Sequence, residues 1–323
     1  MRKKSASLIL LLLLLVITVL LPLTGCSTAK NKETARNAKK LRIDFVAPMV
    51  GHPVWLAAKD GMDAAAEEFG FSGVWMGADD HSLAKTVEAL EQAIAEKPDA
   101  IVSYPFVPAS FSKTLQKAKD AGIPVVFVTA DMEDKTLRRA FIGTNCEEWG
   151  RKHAEALYKK AGDPFNVGVI MSNLDAENQV IAVNQLKKFV SGIPGARIVD
   201  IQEDMGNSAK ASEVLAAMLK AHPEMNALFG TEGGGAVGFA KVLDEMHLTD
   251  KVTVISMDDT EPNLSMVREG KIYGIMAQNF YKMGYLGAKY AWEAAQGKEV
   301  PSETDSGVTL VTKENLDTYK ENR

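Results

Sequence analysis

The chain has 323 residues, a formal net charge of −5 and a hydrophobic fraction of 46 %. That length fits one large domain or two of ordinary size, and the apolar fraction is enough to build cores. The mild acidity leaves no basic face to neutralise phosphates, which argues against a nucleic-acid partner.

Residues 1–25 read as an export signal. Arg2, Lys3 and Lys4 make a positive head, an apolar run extends from Leu8 to Leu21, and Leu23-Thr24-Gly25-Cys26 closes the segment. Head, run and small residues define a secretory signal peptide. The run is shorter than the roughly 20 residues a membrane-spanning helix needs, and Pro22 and Gly25 end it. The closing tetrapeptide resembles the lipobox of bacterial lipoproteins, whose cysteine becomes the first mature residue and carries lipid. That resemblance makes Cys26 the lipidation site. It implies a chain in the cell envelope, outside the cytoplasm and anchored to a membrane. Residues 26–40, poor in large apolar side chains, read as a flexible tether. Cys146 then remains alone, so no internal disulfide can form. It precedes a helical stretch without a His/Asp set that would make it a nucleophile.

From Leu41 onward, apolar runs alternate with amphipathic stretches. Strands are predicted at Leu41–Ala47, Gly73–Met76, Ala100–Tyr104, Pro124–Thr129 and Ala140–Ile142. A second series follows at Asn166–Met171, Arg197–Ile201, Ala227–Thr231, Val252–Met257 and Ile272–Ala277. Several are apolar at consecutive positions, as strands covered on both faces are. Leu83, Val87, Leu90 and Ile94 make one helical face, and Val214, Leu215, Met218 and Leu219 another. Alternating strand and helix predicts parallel sheets with helices on both sides. Lys97-Pro98-Asp99-Ala100 and His222-Pro223-Glu224-Met225 enter corresponding strands of the two series, each proline stopping a helix. Two such units predict two α/β lobes with a cleft lined by strand-end loops, where ligands of open sheets bind.

Over Leu41–Tyr319 the chain resembles the type I periplasmic binding proteins, specifically ribose-binding-like sugar receptors. The resemblance rests on the order of Gly51-His52-Pro53-Val54-Trp55, Asp99-Ala100-Ile101-Val102, Ala121-Gly122-Ile123-Pro124-Val125-Val126 and Phe141-Ile142-Gly143-Thr144-Asn145. Met257-Asp258-Asp259-Thr260, Met276-Ala277-Gln278-Asn279 and Val308–Asn315 complete it. It implies two doubly wound parallel-sheet lobes joined by a three-strand hinge near Thr144–Asn145, Gln278–Asn279 and Val308–Thr309. The first lobe would be residues 41–144 plus 279–307, the second residues 145–278 plus 308–323. A monomer that gives its ligand to an ABC permease is implied, without cofactor, metal or catalysis. Some relatives instead present ligand to a signalling partner.

Binding a sugar needs paired donors and acceptors and an aromatic plate. Asp258 and Gln278 match the family's hydroxyl-gripping aspartate and hinge glutamine. His52 stands where asparagine is common. Trp55 alone keeps a ring at the family's two aromatic positions, as a stacking plate or as core filling. Tyr104 and Glu232 each replace an asparagine. Thr129, with Asp131 two places on, falls where the family has Asp-Arg. The family's arginine after the first second-lobe strand is missing, and Asn178 or Gln179 takes its place beside Glu177. The remaining histidines, His81, His153, His222 and His247, lack metal-ligand spacing and read as surface residues. One rival reading is open. Gly233, Gly235 and Gly238 spell G-x-G-x-x-G after a strand, with Asp258 twenty residues beyond the last, a dinucleotide-binding pattern that would make a nicotinamide-dependent oxidoreductase. Glu232 beside a pyrophosphate and export from the cytoplasm oppose it.

Overall fold

The computed structural model describes residues 40–319. The signal peptide, Cys26, all but the last residue of the tether, and residues 320–323 lie outside the described residues.

The chain runs β1 (Arg42–Ala47), α1 (Pro53–Phe69), β2 (Ser72–Gly77), α2 (Leu83–Ala95), β3 (Ala100–Ser103), α3 (Pro108–Asp120), β4 (Val125–Val128) and β5 (Ala140–Gly143). It continues through α4 (Cys146–Ala161), β6 (Asn166–Met171), α5 (Glu177–Ser191), β7 (Arg197–Glu203), α6 (Ser208–Ala221), β8 (Ala227–Gly230) and α7 (Ala236–Glu245). Next come β9 (Thr253–Met257), α8 (Glu261–Arg268) and β10 (Gly274–Gln278), then α9 (Phe280–Ala295), β11 (Glu303–Asp305) and β12 (Val308–Thr312). Short 3-10 turns occupy Lys135–Leu137 and Leu316–Thr318.

These elements build two six-stranded sheets, ordered β11-β5-β4-β3-β1-β2 and β12-β10-β9-β8-β6-β7. Each is the core of one α/β lobe. Strands β3, β4, β6 and β8 are buried at every position, which is why their sequences read as unbroken apolar runs. Edge strands β2 and β7 are half-exposed. All described pairings are parallel except β10 with β12, where Gly274 faces Thr312 and Gln278 faces Val308. Neither β11 nor β12 was predicted as a strand. Glu-Thr-Asp carries no hydrophobic signal, and β11 exists only because its backbone pairs with β5 from Glu303↔Phe141 to Asp305↔Gly143.

The chain leaves one sheet for the other three times: between β5 and α4, between β10 and α9, and between β11 and β12. At the first two, an asparagine starts the next helix. Asn145 Oδ1 accepts the Glu148 N–H at 3.0 Å, and Asn279 Oδ1 accepts the Lys282 N–H at 2.8 Å. Satisfying an orphan N–H this way fixes where each helix begins, so each crossing is short and stiff on one side. Helix α9 returns to the first lobe and packs on α1. A side chain on Gly284 would start 1.9 Å from Ala58 O, and one on Gly61 would start 2.1 Å from Tyr281 O. Only glycine permits that approach. Phe280, Met283, Ala288 and Ala291 of α9 thereby join the first lobe's core. The second lobe buries a separate cluster on each face of its sheet.

Candidate functional site

The two sheets present equivalent strand tips to each other. Thr129 follows β4 and Asp258 follows β9, each the third strand of its six-stranded sheet counted from the β11 or β12 edge. Both residues adopt left-handed backbone, with φ of 68° and 65°. Both are tied to the next strand, Thr129 N–H to Ile142 O and Asp258 N–H to Met276 O, each at 2.9 Å. Non-glycine residues in this region carry strain that a fold retains where it aims a side chain. Asp258 is 5 % exposed. Burial pushes its carboxyl up to about 8, with Asp259 and Glu232 pushing the same way and the Gln278 hydrogen bond acting against them.

Gln278 ends β10 at a crossing. Its Nε2 donates to Asp258 Oδ1 at 3.1 Å, and its Oε1 accepts the Thr144 hydroxyl at 2.9 Å. Ser306 Oγ and Gly307 O stand 3.3 and 3.2 Å from Thr144 Oγ1. One hydroxyl therefore touches residues of all three crossings. Sequence reasoning used Thr144 only as a boundary. Its place at a strand end beside the hinge was the available signal.

Tyr104, just past β3, donates to Asn178 Oδ1 at the start of α5 at 3.1 Å. The Glu177 N–H donates to Phe106 O at 2.9 Å beside it. Both bonds join first lobe to second. Burial raises the Tyr104 phenol above its ordinary value and keeps it a neutral donor. Trp55 is 4 % exposed and enclosed by Phe45, Tyr104 and Phe280, with ring centroids 6.5, 5.3 and 5.2 Å away.

His52 caps the start of α1 with its backbone; its Nδ1 is buried without a hydrogen-bond partner among the described residues, and burial lowers its pKa. His81 is not a surface residue. It stacks on Phe106 at 4.4 Å, and burial, then the neighbouring His52, push it down to about 4. His153 is likewise buried, stacked on Phe229 at 3.7 Å with Nε2 3.2 Å from Ile255 O. The Lys, Arg and Glu residues around it on α4 concealed that it lies on the buried Trp149–Leu157 stripe.

Two other predicted residues have their side chains occupied. Asp131 binds Arg138 through both oxygens, at 2.6 and 2.7 Å, and also Lys135. Gln179 is a bracket within the second lobe. Its Oε1 accepts Ser172 N–H at 3.0 Å and Thr231 Oγ1 at 2.7 Å, and its Nε2 donates to Ser172 Oγ at 2.6 Å.

Glu232, after β8, turns onto its own loop. Its carboxylate accepts the N–H groups of Gly234 and, at 2.6 Å, of Gly235, which open α7. Asp204, after β7, lies beside it. Burial pushes Asp204 up to about 6; burial and then Asp204 raise Glu232. Asp204 escaped the sequence reading because the resemblance marked no ligand contact after β7.

The same loop removes the dinucleotide reading. The helix N-terminus that a pyrophosphate would occupy already holds the Glu232 carboxylate. The glycines answer to packing: a side chain on Gly233 would start 2.6 Å from Asp258 Oδ2, one on Gly235 2.4 Å from Phe239, and one on Gly238 2.3 Å from Ser208 O.

Two grooves flank the interlobe contact. One, of about 1550 Å³, is lined by Thr129, Asp131, Thr144, Cys146 and Asn178 among others. The other, of about 350 Å³, is lined by Pro53, Leu56, Glu261, Gln278 and Phe280 among others. The Thr144–Gln278 bond lies between them. His52, Trp55, Tyr104, Gln179, Glu232 and Asp258 line neither groove. Trp55, Tyr104, Glu232 and Asp258 are each at most 9 % exposed. Among the described residues, no group of three or more His, Cys, Asp or Glu side chains is placed to hold a metal ion.

Paired α/β lobes, three crossings and opposed strand tips define a two-lobed binding protein. Residues 43–299 match the periplasmic binding protein domain family, and the chain belongs to it, in its type I, ribose-binding-like branch. The D-ribose/D-allose-binding protein of Pseudomonas aeruginosa is 25 % identical over 296 residues, 88 % of this chain and 92 % of that one. Among solved structures, GanP, a glucose-galactose binding protein from Geobacillus stearothermophilus, superposes with a TM-score of 0.82 at 28 % identity, covering 86 % of this chain and 99 % of that one. An ABC transporter solute-binding protein from Burkholderia graminis, in complex with D-arabinose, gives the same TM-score and identity over 88 % and 99 %.

Proposed function

We propose that this protein captures a sugar or sugar-like polyol between its lobes outside the cytoplasm and hands it, chemically unchanged, to an ABC importer. The observation that carries the reading is the Asp258–Gln278 pair at 3.1 Å, a buried acceptor and amide at a strand tip on the hinge. A carboxyl with one oxygen tied and the other spare can grip adjacent ring hydroxyls, and their donors draw it toward its charged form. Tyr104, Asn178, His52 and Glu232 supply further polar atoms around it, and Trp55 an apolar wall. The relatives that bind ribose, allose, glucose, galactose and arabinose support the sugar assignment.

The working cycle is a clamp. The residues at the centre of the contact are covered, so ligand enters an opened form. Contacts from both lobes then favour closure, by as much as the ligand's preference for the closed state. The closed pair of lobes is the form that docks on the permease. Cys26, acylated, holds the protein as a monomer at the membrane surface on the tether of residues 26–40.

A thermal-shift screen over pentoses, hexoses and polyols tests the reading. Stabilisation by at least one sugar, growing with concentration as RT ln(1 + [L]/Kd), is expected. A melting temperature indifferent to every sugar in the screen counts against it.

A further inference from the structure

The second lobe brings three carboxyl groups to the cleft with no counter-ion. The Glu232–Gly234 turn lies between two neighbours. On one side is Asp258, whose Oδ2 would stand 2.6 Å from a side chain begun at Gly233. On the other is the turn after β7, where Gly206 O would stand 2.4 Å from a side chain begun at Gly234. Asp204, Glu232 and Asp258 thus form a row across the tips of β7, β8 and β9. None is in an ion pair with Lys, Arg or His among the described residues, and the charged neighbours acting on Asp258 are Asp259 and Glu232, both of its own sign.

Part of this row is committed to the fold. Glu232 caps α7, Asp204 Oδ1 accepts the Gly206 N–H at 2.9 Å, and Asp258 Oδ1 accepts from Gln278 at 3.1 Å. Two oxygens are not. Asp204, 0 % exposed, has a buried Oδ2 that no N–H or hydroxyl of the described residues reaches; its carboxyl meets that of Glu232, and the two can share one proton. Gln278 supplies the one hydrogen bond that the Asp258 carboxyl receives there, leaving Oδ2 spare.

Burying carboxylates without cations is costly, so these groups hold protons in the ligand-free fold, and a cation placed against them is what lets them ionise. A neutral sugar offers hydroxyls and no charge. An ammonium offers three donors and a full positive charge. On the facing lobe, Tyr104 lies close enough to Asp258 for that carboxyl to act on its phenol. The stretch after β6, where the sequence resemblance leads one to expect an arginine, holds Asn178 and Gln179, both uncharged.

We propose that the guest is cationic: a hydroxylated amine, an amino sugar or amino polyol, with its ammonium against Asp258 and Glu232 and with Asp204 behind them. This rests on the cleft being a sugar site and narrows which sugars fit.

Calorimetry on the intact protein at about pH 7 tests it with matched pairs: D-glucosamine and D-glucose, D-galactosamine and D-galactose, D-mannosamine and D-mannose, glucamine and sorbitol, plus the N-acetylated amines. At least one amine should bind about tenfold or more tighter than its parent, and N-acetylation should erase the gain. Titrations in phosphate and in Tris should show that this amine releases about half a proton or more while its parent releases almost none, because a paired carboxyl holds its proton less tightly. In the Asp204→Asn/Glu232→Gln variant, checked for a cooperative melt, the amine-to-parent ratio should fall about tenfold; the proton count on the unmodified protein stands whether or not this variant folds. Parents that bind as tightly as their amines, or an amine that releases no proton, overturn the cationic assignment and leave sugar capture standing. No binding by any member of any pair overturns both.

Discussion

Tyr104 of the first lobe and Asn178 of the second share a hydrogen bond of 3.1 Å across the cleft, phenol donating to amide oxygen. Among the described residues it ties the lobes away from the hinge, beside the Glu177–Phe106 bond. Tyr104→Phe keeps the ring and removes the donor. The closed form should lose about 1 kcal/mol, and sugar affinity should fall about fivefold, mostly through faster release. Stopped-flow release rates check this; an unchanged off-rate would show that the bond does not act on closure.

The acid row makes a prediction for pH. Asp258, pushed up to about 8, and Asp204, up to about 6, hold protons more tightly in the fold than in the unfolded chain. The stability they contribute is complete below the unfolded carboxyl value of about 4 and is lost as pH rises through their folded values. Glu232, also raised, works in the same sense. Asp131, depressed chiefly by Arg138 and Lys135 against the opposing effect of burial, works oppositely, and its contribution is lost only as pH falls below about 4. The ligand-free melting temperature should therefore drop between about pH 5 and 8, and Asp258→Asn should flatten the drop. Parallel scans of the two proteins measure it.

Asp131 should prove a structural residue. Arg138 has a side chain 3 % exposed, held by both Asp131 oxygens, by Ser302 O at 2.5 Å and by Glu303 at 3.0 Å. Asp131→Ala leaves that guanidinium only Ser302 O and the exposed Glu303 and should cost about 3 kcal/mol in denaturant unfolding, with sugar affinity changed by less than about threefold.

Gln179 should behave similarly within the second lobe. Gln179→Ala leaves the Ser172 N–H and the Thr231 hydroxyl without their acceptor, at a cost of about 2 kcal/mol. Hydrogen exchange at Ser172 should quicken. Protection equal to that of the unmodified chain would contradict the bracket.

The strand and helix alternation was legible because central parallel strands are buried on both faces and write themselves as apolar runs, as in Val125–Val128 and Ala227–Gly230. The polar edge strand β11 was not, since it exists by pairing alone. At the candidate site, the strand-tip positions of Asp258 and Gln278, bonded to each other, were readable from their motifs. What Glu232 does was hidden, because its two-fold grip on α7 depends on a glycine turn whose shape only the packing against Asp258 explains. His81 was misplaced because it precedes α2 and no periodicity surrounds it; His153 sits four residues from both Trp149 and Leu157, the buried stripe of α4, and that spacing was the available signal.

The account turns on Asp258 holding the guest. Asparagine accepts the same left-handed backbone and removes the charge. Titration calorimetry of the Asp258→Asn protein with the sugar that best stabilises the unmodified chain should show binding about a hundredfold weaker, near 2.7 kcal/mol, with ligand-free melting no lower than before. Binding within about threefold of the unmodified protein would contradict it.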